Sequence, residues 1–139
     1  MSGLPAASSL LLHYRPDLDM LTARWMADSD LPMLQAEYAA ILEAGRQHRT
    51  LRWLLDVRRR EVPSLAAAEW VASVWLPEAA AAVAPARLQL AYLISPIRAE
   101  LLRTDAALQA TAEKALQPAA PYQMRLFADE GEAVRWLTS

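Results

Sequence analysis

The stretch "LRWLLD", residues 51–56, decides the fold of this chain. It is short and nearly all apolar, which is typical of a parallel strand covered on both faces. It ends in Asp56, and three arginines, Arg58, Arg59 and Arg60, follow before the next helix begins. Loops at the carboxyl ends of strands usually hold the ligand sites of open α/β sheets. The loop with the arginines is therefore the first candidate site.

Two segments before this strand predict an antiparallel hairpin. The sequences "SLLLHYR" (9–15) and "DMLTARWMA" (19–27) are rich in strand formers, and "PDLD" between them supplies turn residues. An amphipathic helix over 32–48 follows, with Asp30 as its N-cap. Its apolar residues recur at helical spacing, so we expect this helix to lie against the sheet.

The segment after the arginines predicts a second helix, over residues 64–76, with Ser64 as its N-cap. Pro77 is expected to stop or kink this helix, because proline lacks a backbone donor and clashes with the preceding turn. The residues expected to pack against the sheet are Leu65, Ala68, Val71, Val74 and Trp75.

The rest of the chain alternates strands and helices. A strand is predicted over 86–95, with Ser95 capping the next helix and Asp105 beginning another. A last strand over 122–127 precedes a closing helix that Asp129 caps. The order is therefore ββαβαβαβα, which predicts an α/β fold with a mainly parallel sheet, helices packed on it and an N-terminal antiparallel hairpin at one edge.

Composition limits the class of protein. The 139 residues fit one domain, predicted over 9–139 after a flexible N-terminus at 1–8. The net charge of −2 gives no reason to expect nucleic-acid binding, and no segment predicts membrane insertion, so a cytoplasmic protein is expected. No cofactor or metal is predicted, because the chain has no cysteine and His13 and His48 lack ligand spacing.

Several of these segments resemble one family. The hairpin ending in "ARW", "WLLD" with its polar loop and helix, "AYLISP" and "LFADEGEAVRWL" are similar to the STAS-like, SpoIIAA-like group of small bacterial proteins. The resemblance covers about 9–138 and implies the fold of anti-sigma-factor antagonists and of the cytoplasmic domains of sulphate transporters. In the antagonists, a partner kinase phosphorylates a serine in an Asp-Ser-Ser-Gly element at a helix start. Of that element, only Ser64 is matched here.

Each candidate residue has a functional and a structural interpretation. Ser64 is either a phosphoacceptor, at a helix N-terminus that favours phosphate, or a plain helix cap. Arg58, Arg59 and Arg60 either contact an anion or an acidic partner, or are simply solvated. Asp56 is either catalytic or binds the backbone of its own loop; the second is expected, because no other carboxylate has the spacing of an acid–base pair.

Two tryptophans on the second predicted helix offer a further alternative. Trp70 and Trp75 lie five residues apart and so point to different sides of that helix. Either one is core and the other joins an exposed apolar patch, or both are buried. The other residues of that patch would be Val71, Val74 and Leu76.

The first functional hypothesis is a non-enzymatic regulatory or interaction module. It would bind an unknown protein partner, or form a homodimer, through the loop and helix 57–76. The alternative is a carrier of a small apolar ligand or lipid, with a pocket between sheet and helices. The methionines expected to line such a pocket are Met20, Met26, Met33 and Met124. An enzyme is not expected, because no nucleophile is recognised together with its base.

Overall fold

The structure is a computed structural model that describes residues 4–60 and 64–139; part of the predicted flexible N-terminus and residues 61–63 of the loop lie outside it. The strands are β1 (Leu10–Arg15), β2 (Met20–Trp25), β3 (Arg52–Asp56), β4 (Leu88–Leu93) and β5 (Tyr122–Phe127). The helices are α1 (Leu31–His48), α2 (Leu65–Trp70), α3 (Leu76–Val83), α4 (Pro96–Thr104), α5 (Ala106–Ala115) and α6 (Glu130–Thr138). A π-helical turn, Val71–Trp75, joins α2 to α3.

The strands form one sheet in the order β1-β2-β3-β4-β5. Strands β1 and β2 are antiparallel, and every other neighbouring pair is parallel. Trp53 of β3 is in register with Leu21 on one side and Leu90 on the other. The predictions of an interior strand at 51–56 and of an antiparallel edge hairpin are therefore confirmed.

The alternation of side chains gives the sheet two different faces. Trp25, Trp53 and Leu90 belong to the larger core on the first face, which α1 to α5 cover. Leu54 and Leu93 belong to a smaller core on the second face, which α6 covers. Residues in β2 and β3 are buried on both faces because helices lie on both sides of the sheet.

The predicted helix starts are confirmed by their capping hydrogen bonds. Each cap has extended backbone, and its side-chain oxygen accepts a backbone N–H from the first turn of its helix. The caps are Asp30, Ser64, Ser95, Asp105 and Asp129. These bonds fix the points at which five of the chain's helices begin.

The second predicted helix differs from the prediction after its first turns. Regular α-helix gives way to the π turn, in which the N–H of Leu76 bonds to the carbonyl of Val71. The chain then continues as α3 to Val83, with Pro77 in its first turn, where proline is tolerated. This i→i+5 turn also shifts the helix phase. The predicted packing of Leu65 and Val74 is wrong, since both side chains are exposed. Leu65 is the first residue of α2 and lies before the π turn, so the phase shift bears on Val74 alone. The buried residues are Ala67, Ala72, Trp75, Leu76, Ala79 and Ala80.

None of the described helices combines the length and the apolar character that crossing a bilayer requires.

Candidate functional site

The three arginines after β3 do not form one basic patch, because their side chains diverge. Arg58 turns towards α6 and joins a group of ion pairs. Arg59 is exposed. Arg60 is only 8% exposed, and its guanidinium lies 5.3 Å from the ring centroid of Trp25 on the first face. Two of these three side chains are therefore held by the fold itself.

The ion pairs of Arg58 form a closed charge cluster of Arg24, Asp56, Arg58 and Glu130. Arg24 pairs with Asp56 and lies 3.0 Å from a Glu130 oxygen. The Nη2 of Arg58 lies 2.9 Å from Asp56 Oδ2 and 3.2 Å from Glu130 Oε1. Two guanidinium groups thus face two carboxylates, and the cluster joins β2, β3 and the first residue of α6. It holds these elements together without excess charge.

Asp56 is the buried member of this cluster, with a side chain only 5% exposed. One of its oxygens also accepts the backbone N–H of Arg58 at 3.1 Å, which confirms that Asp56 binds its own loop. Burial by itself raises the pKa of this carboxyl, but the hydrogen bonds and charges of Arg58 and Arg24 lower it below its usual value. Asp56 is therefore held ionised as a structural anchor.

A pocket lies on the first face of the sheet, between α2 and the π turn on one side and α4 and α5 on the other. Its volume is about 130 Å³. Small side chains leave this space, because alanines from both sides line it: Ala67, Ala68, Ala72, Ala112 and Ala115. Larger aliphatic side chains complete the wall: Leu34, Ile94, Leu101, Leu102 and Leu126. The π turn contributes Val71 and Ala72, and such turns are frequent at functional sites.

The polar lining of the pocket includes two tyrosines and two arginines. The hydroxyls of Tyr38 and Tyr92 lie 2.9 Å apart, and one donates to the other. Burial raises the pKa of Tyr38 and raises that of Tyr92 well above its ordinary value, so both stay protonated at neutral pH. Arg60 and Arg98 also line the pocket. The pocket therefore has hydrogen-bond donors within an otherwise apolar wall.

Arg60 is oriented by a buried hydrogen-bond network around Trp25. The indole N–H of Trp25 donates to Glu37 at 3.0 Å. The same carboxylate accepts from the hydroxyls of Ser8 and Ser29, and Glu37 is fully buried. A carboxylate with three donors is well satisfied, so it holds Trp25 in place beneath the guanidinium of Arg60.

The predicted site residues fall in different places. Ser64 is exposed, and its hydroxyl accepts the N–H of Ala67 at 3.1 Å, as a helix cap does. Trp75 is fully buried, and its indole N–H donates to the carbonyl of Tyr38 at 2.8 Å. Trp70 is half-buried and meets the Tyr38 ring edge-on, with centroids 5.9 Å apart.

Two components of the sequence predictions are corrected by this placement. Of the alternatives for the two tryptophans, Trp75 is core, and the exposed patch forms only in part: Val74 is exposed, whereas Leu76 is buried and Val71 is half-buried in the pocket lining. The methionine lining is also wrong in three of its four residues. Only Met124 reaches the pocket, whereas Met20 packs in the core of the second face. Met26 is exposed just after the end of β2, and Met33 is half-buried on α1 outside the pocket lining.

Sequence analysis missed Arg98 and the pairing of the two tyrosines. A signal for Arg98 was present, since it precedes Leu101 and Leu102 at helical i+3 and i+4 spacing. An arginine within an apolar stripe indicates a side chain that faces the core. The proximity of Arg60 and Arg98 depends on how α4 packs, which no local pattern shows.

The two histidines do not assemble a metal site. His48 stacks on Tyr14 with ring centroids 4.2 Å apart. Within residues 4–60 and 64–139, no three histidine, aspartate or glutamate side chains come together as metal ligands.

Comparison with protein-family models, with curated proteins and with solved structures finds no match for this chain. Function is therefore inferred from the geometry of its own side chains.

Proposed function

We propose that this protein is a non-enzymatic binding module that holds a small, mainly apolar molecule in the pocket between its sheet and helices. The observation that carries the proposal is the pocket itself, with a volume of about 130 Å³. An engineered apolar cavity of about 150 Å³ binds benzene. The space in this chain therefore suits one aromatic ring or a short alkyl chain.

The chemistry of the lining supports binding over catalysis. Its polar groups are the hydroxyl of Thr111, the hydroxyls of Tyr38 and Tyr92, and the guanidinium groups of Arg60 and Arg98. The two tyrosines stay protonated at neutral pH because burial raises their pKa values. These groups orient a ligand by hydrogen bonds. Among the described lining residues, no hydroxyl is paired with a histidine or carboxylate base.

Toluene is the probe that tests this proposal, because it is neutral and fills the volume of one ring. We expect saturable binding that shifts the methyl NMR signals of Ile94 and Leu101, which line the pocket. Replacing Ala112 with phenylalanine should abolish these shifts, since the new ring would occupy the same space. The matched control is Ala110→Phe on the exposed side of the same helix.

The outcome of the toluene titration separates the alternatives. Retained binding in Ala110→Phe and lost binding in Ala112→Phe support the pocket as the binding site. No saturable shift in the unmodified protein, or equal binding by both variants, contradicts the proposal.

A second proposal keeps the interaction module, through segment 57–76, together with the STAS-like relationship. Two apolar side chains of this segment are exposed, Leu65 at 39% and Val74 at 46%. The mixed sheet with its antiparallel edge is compatible with that family. Support for a phosphate on Ser64 is weaker, because Arg58 and Arg60 are already engaged elsewhere.

Self-association is the form of this second proposal that is simplest to measure. We expect the apparent mass in light scattering to rise with protein concentration, and the rise to disappear in Val74→Glu, since a charge cannot be buried cheaply in an interface. Val83→Glu, at a half-buried position on α3 outside the segment, is the comparison variant. A monomeric mass at every concentration would exclude the homodimer.

A further inference from the structure

The pocket contains two arginines, which an apolar binding site does not need. Arg60 comes from the loop after β3 and is 8% exposed, and Arg98 comes from the first turn of α4 and is half-buried. Removing a guanidinium group from water is costly unless its donors are satisfied. The buried guanidinium group of Arg60 therefore indicates a recognition function that neutral ligands would leave unused.

Arg60 still has hydrogen-bonding capacity. Within residues 4–60 and 64–139, its buried Nε donates to no acceptor. Its guanidinium is fixed by the ring of Trp25 at 5.3 Å, so it is presented to the pocket in a defined position. Buried polar groups nearly always have partners, and an exception calls for an explanation.

The tyrosine pair adds another donor. Tyr38 and Tyr92 share one hydrogen bond at 2.9 Å, in which one hydroxyl is the donor. The accepting tyrosine keeps its own O–H, and within residues 4–60 and 64–139 neither hydroxyl has another acceptor. That hydroxyl can donate to an oxygen atom of a ligand.

The charged side chains that line the pocket favour an anion. Burial and the neighbouring charge of Arg60 lower the pKa of Arg98, while Tyr38, Tyr92 and Asp28 act in the opposite direction. Arginine remains protonated in proteins, so the described lining brings two positive charges to the pocket and no carboxylate. The carboxylates of Asp28 and Glu37 act on Arg98 and Tyr38 from outside the lining, so a carboxylate of a ligand would be the anion that meets these two guanidinium groups directly.

We propose that the ligand is a small organic carboxylate, with one ring or a short alkyl chain, whose carboxylate is bound by Arg60 and Arg98 and whose apolar body lies among the alanines of α2 and α5. The inference rests on the proposed function and adds the class of ligand. Guanidinium forks match the geometry of a carboxylate, and the accepting tyrosine hydroxyl supplies a further donor. The pocket volume of about 130 Å³ limits the body to this size.

Three probes that share one ring test the inference: benzoate, benzyl alcohol and toluene, titrated by calorimetry and NMR in a buffer free of carboxylates. Benzoate should bind about 10- to 100-fold more tightly than benzyl alcohol, as charge-assisted hydrogen bonds predict. In Arg60→Met, which keeps an unbranched side chain without the charge, most of this preference should be lost while toluene binding remains, because Arg98 would bind the carboxylate alone. Arg60→Gln also removes the charge, and it replaces Arg60→Met in this test if the methionine variant does not fold.

The matched control is Arg59→Met in the same loop. Arg59 is exposed, and its Nη1 lies 3.6 Å from the Sδ of Met26, away from the pocket lining. This variant removes the same charge from the protein and should keep the full preference for benzoate. If anions were attracted to the loop in general, the preference for benzoate would weaken equally in Arg59→Met and Arg60→Met. That result would overturn the inference.

The remaining outcomes separate this inference from the proposed function. Equal binding of benzoate, benzyl alcohol and toluene would overturn the carboxylate and leave the apolar pocket in place. A benzoate preference that is undiminished in both Arg60 variants would also overturn it. If none of the three probes binds, the proposed function fails together with the inference.

Discussion

Replacing Gly45 with alanine is expected to destabilise the fold by about 3 kcal/mol or more, although alanine is the better helix former. A Cβ atom at this position of α1 would lie 2.1 Å from Cζ2 and 2.5 Å from Cε2 of Trp53. Trp53 is fully buried, and its indole N–H donates to the carbonyl of Thr50 at 2.9 Å. The ring therefore cannot move away, and overpacking outweighs the gain of about 1 kcal/mol in helix propensity.

Urea unfolding of Gly45→Ala, compared with that of Gly131→Ala, measures this loss of stability. At Gly131 in α6, a Cβ would lie 3.1 Å from Asp129 Oδ2 and 3.5 Å from Arg135 Nη1, which both belong to side chains that can adjust. We expect this control to stay within about 1 kcal/mol of the unmodified protein. Equal losses in the two variants would contradict the close packing of α1 on Trp53.

Where one face of a helix or strand is buried, the sequence pattern was sufficient to predict which residues form that face. Leu34, Tyr38 and Ile41 recur at helical spacing, and all three are buried against the sheet. Leu21 and Trp25 alternate with Arg24 on β2, and the two faces separate as the pattern predicts. Local hydrophobic periodicity reports which side is buried, so it determined which segments form helices and which form strands.

The candidate site depended on information that no local pattern contains. Three consecutive arginines have no periodicity, and it is Asp56 that separates Arg58 from Arg60 by binding the first of them. The pocket was expected among methionines, whereas it forms where alanines of α2 and α5 face each other. Such a volume results from the packing of two helices that are distant in sequence.

Replacing Asp56 with asparagine is expected to cost about 2–3 kcal/mol of unfolding free energy at neutral pH. The variant removes the buried charge that both Arg24 and Arg58 contact. The cost stays below that of a fully buried pair, because the two arginine side chains are partly exposed and both keep Glu130 as a partner.

The pH dependence of this loss identifies its cause. The folded-state pKa of Asp56 is lowered by Arg58 and Arg24 against the opposing effect of burial. Its stabilisation is therefore complete above the unfolded-state pKa of about 3.9 and is lost as the pH falls through the lower folded-state value. The difference between the unmodified protein and Asp56→Asn in urea unfolding should be constant near neutral pH and shrink in acid.

Asp17→Asn is the control for this measurement. The hydrogen bond from Arg15 lowers the pKa of Asp17 too, but this carboxylate is exposed to solvent. Exposed ion pairs contribute little to stability, so we expect no measurable loss at neutral pH and an acid unfolding profile close to that of the unmodified protein. A different result would contradict this account: the difference in unfolding free energy between the unmodified protein and Asp56→Asn would stay constant into strong acid. The ionised carboxylate would then not be what anchors the loop. In that case packing on Trp25 alone would hold Arg60 in its inward position.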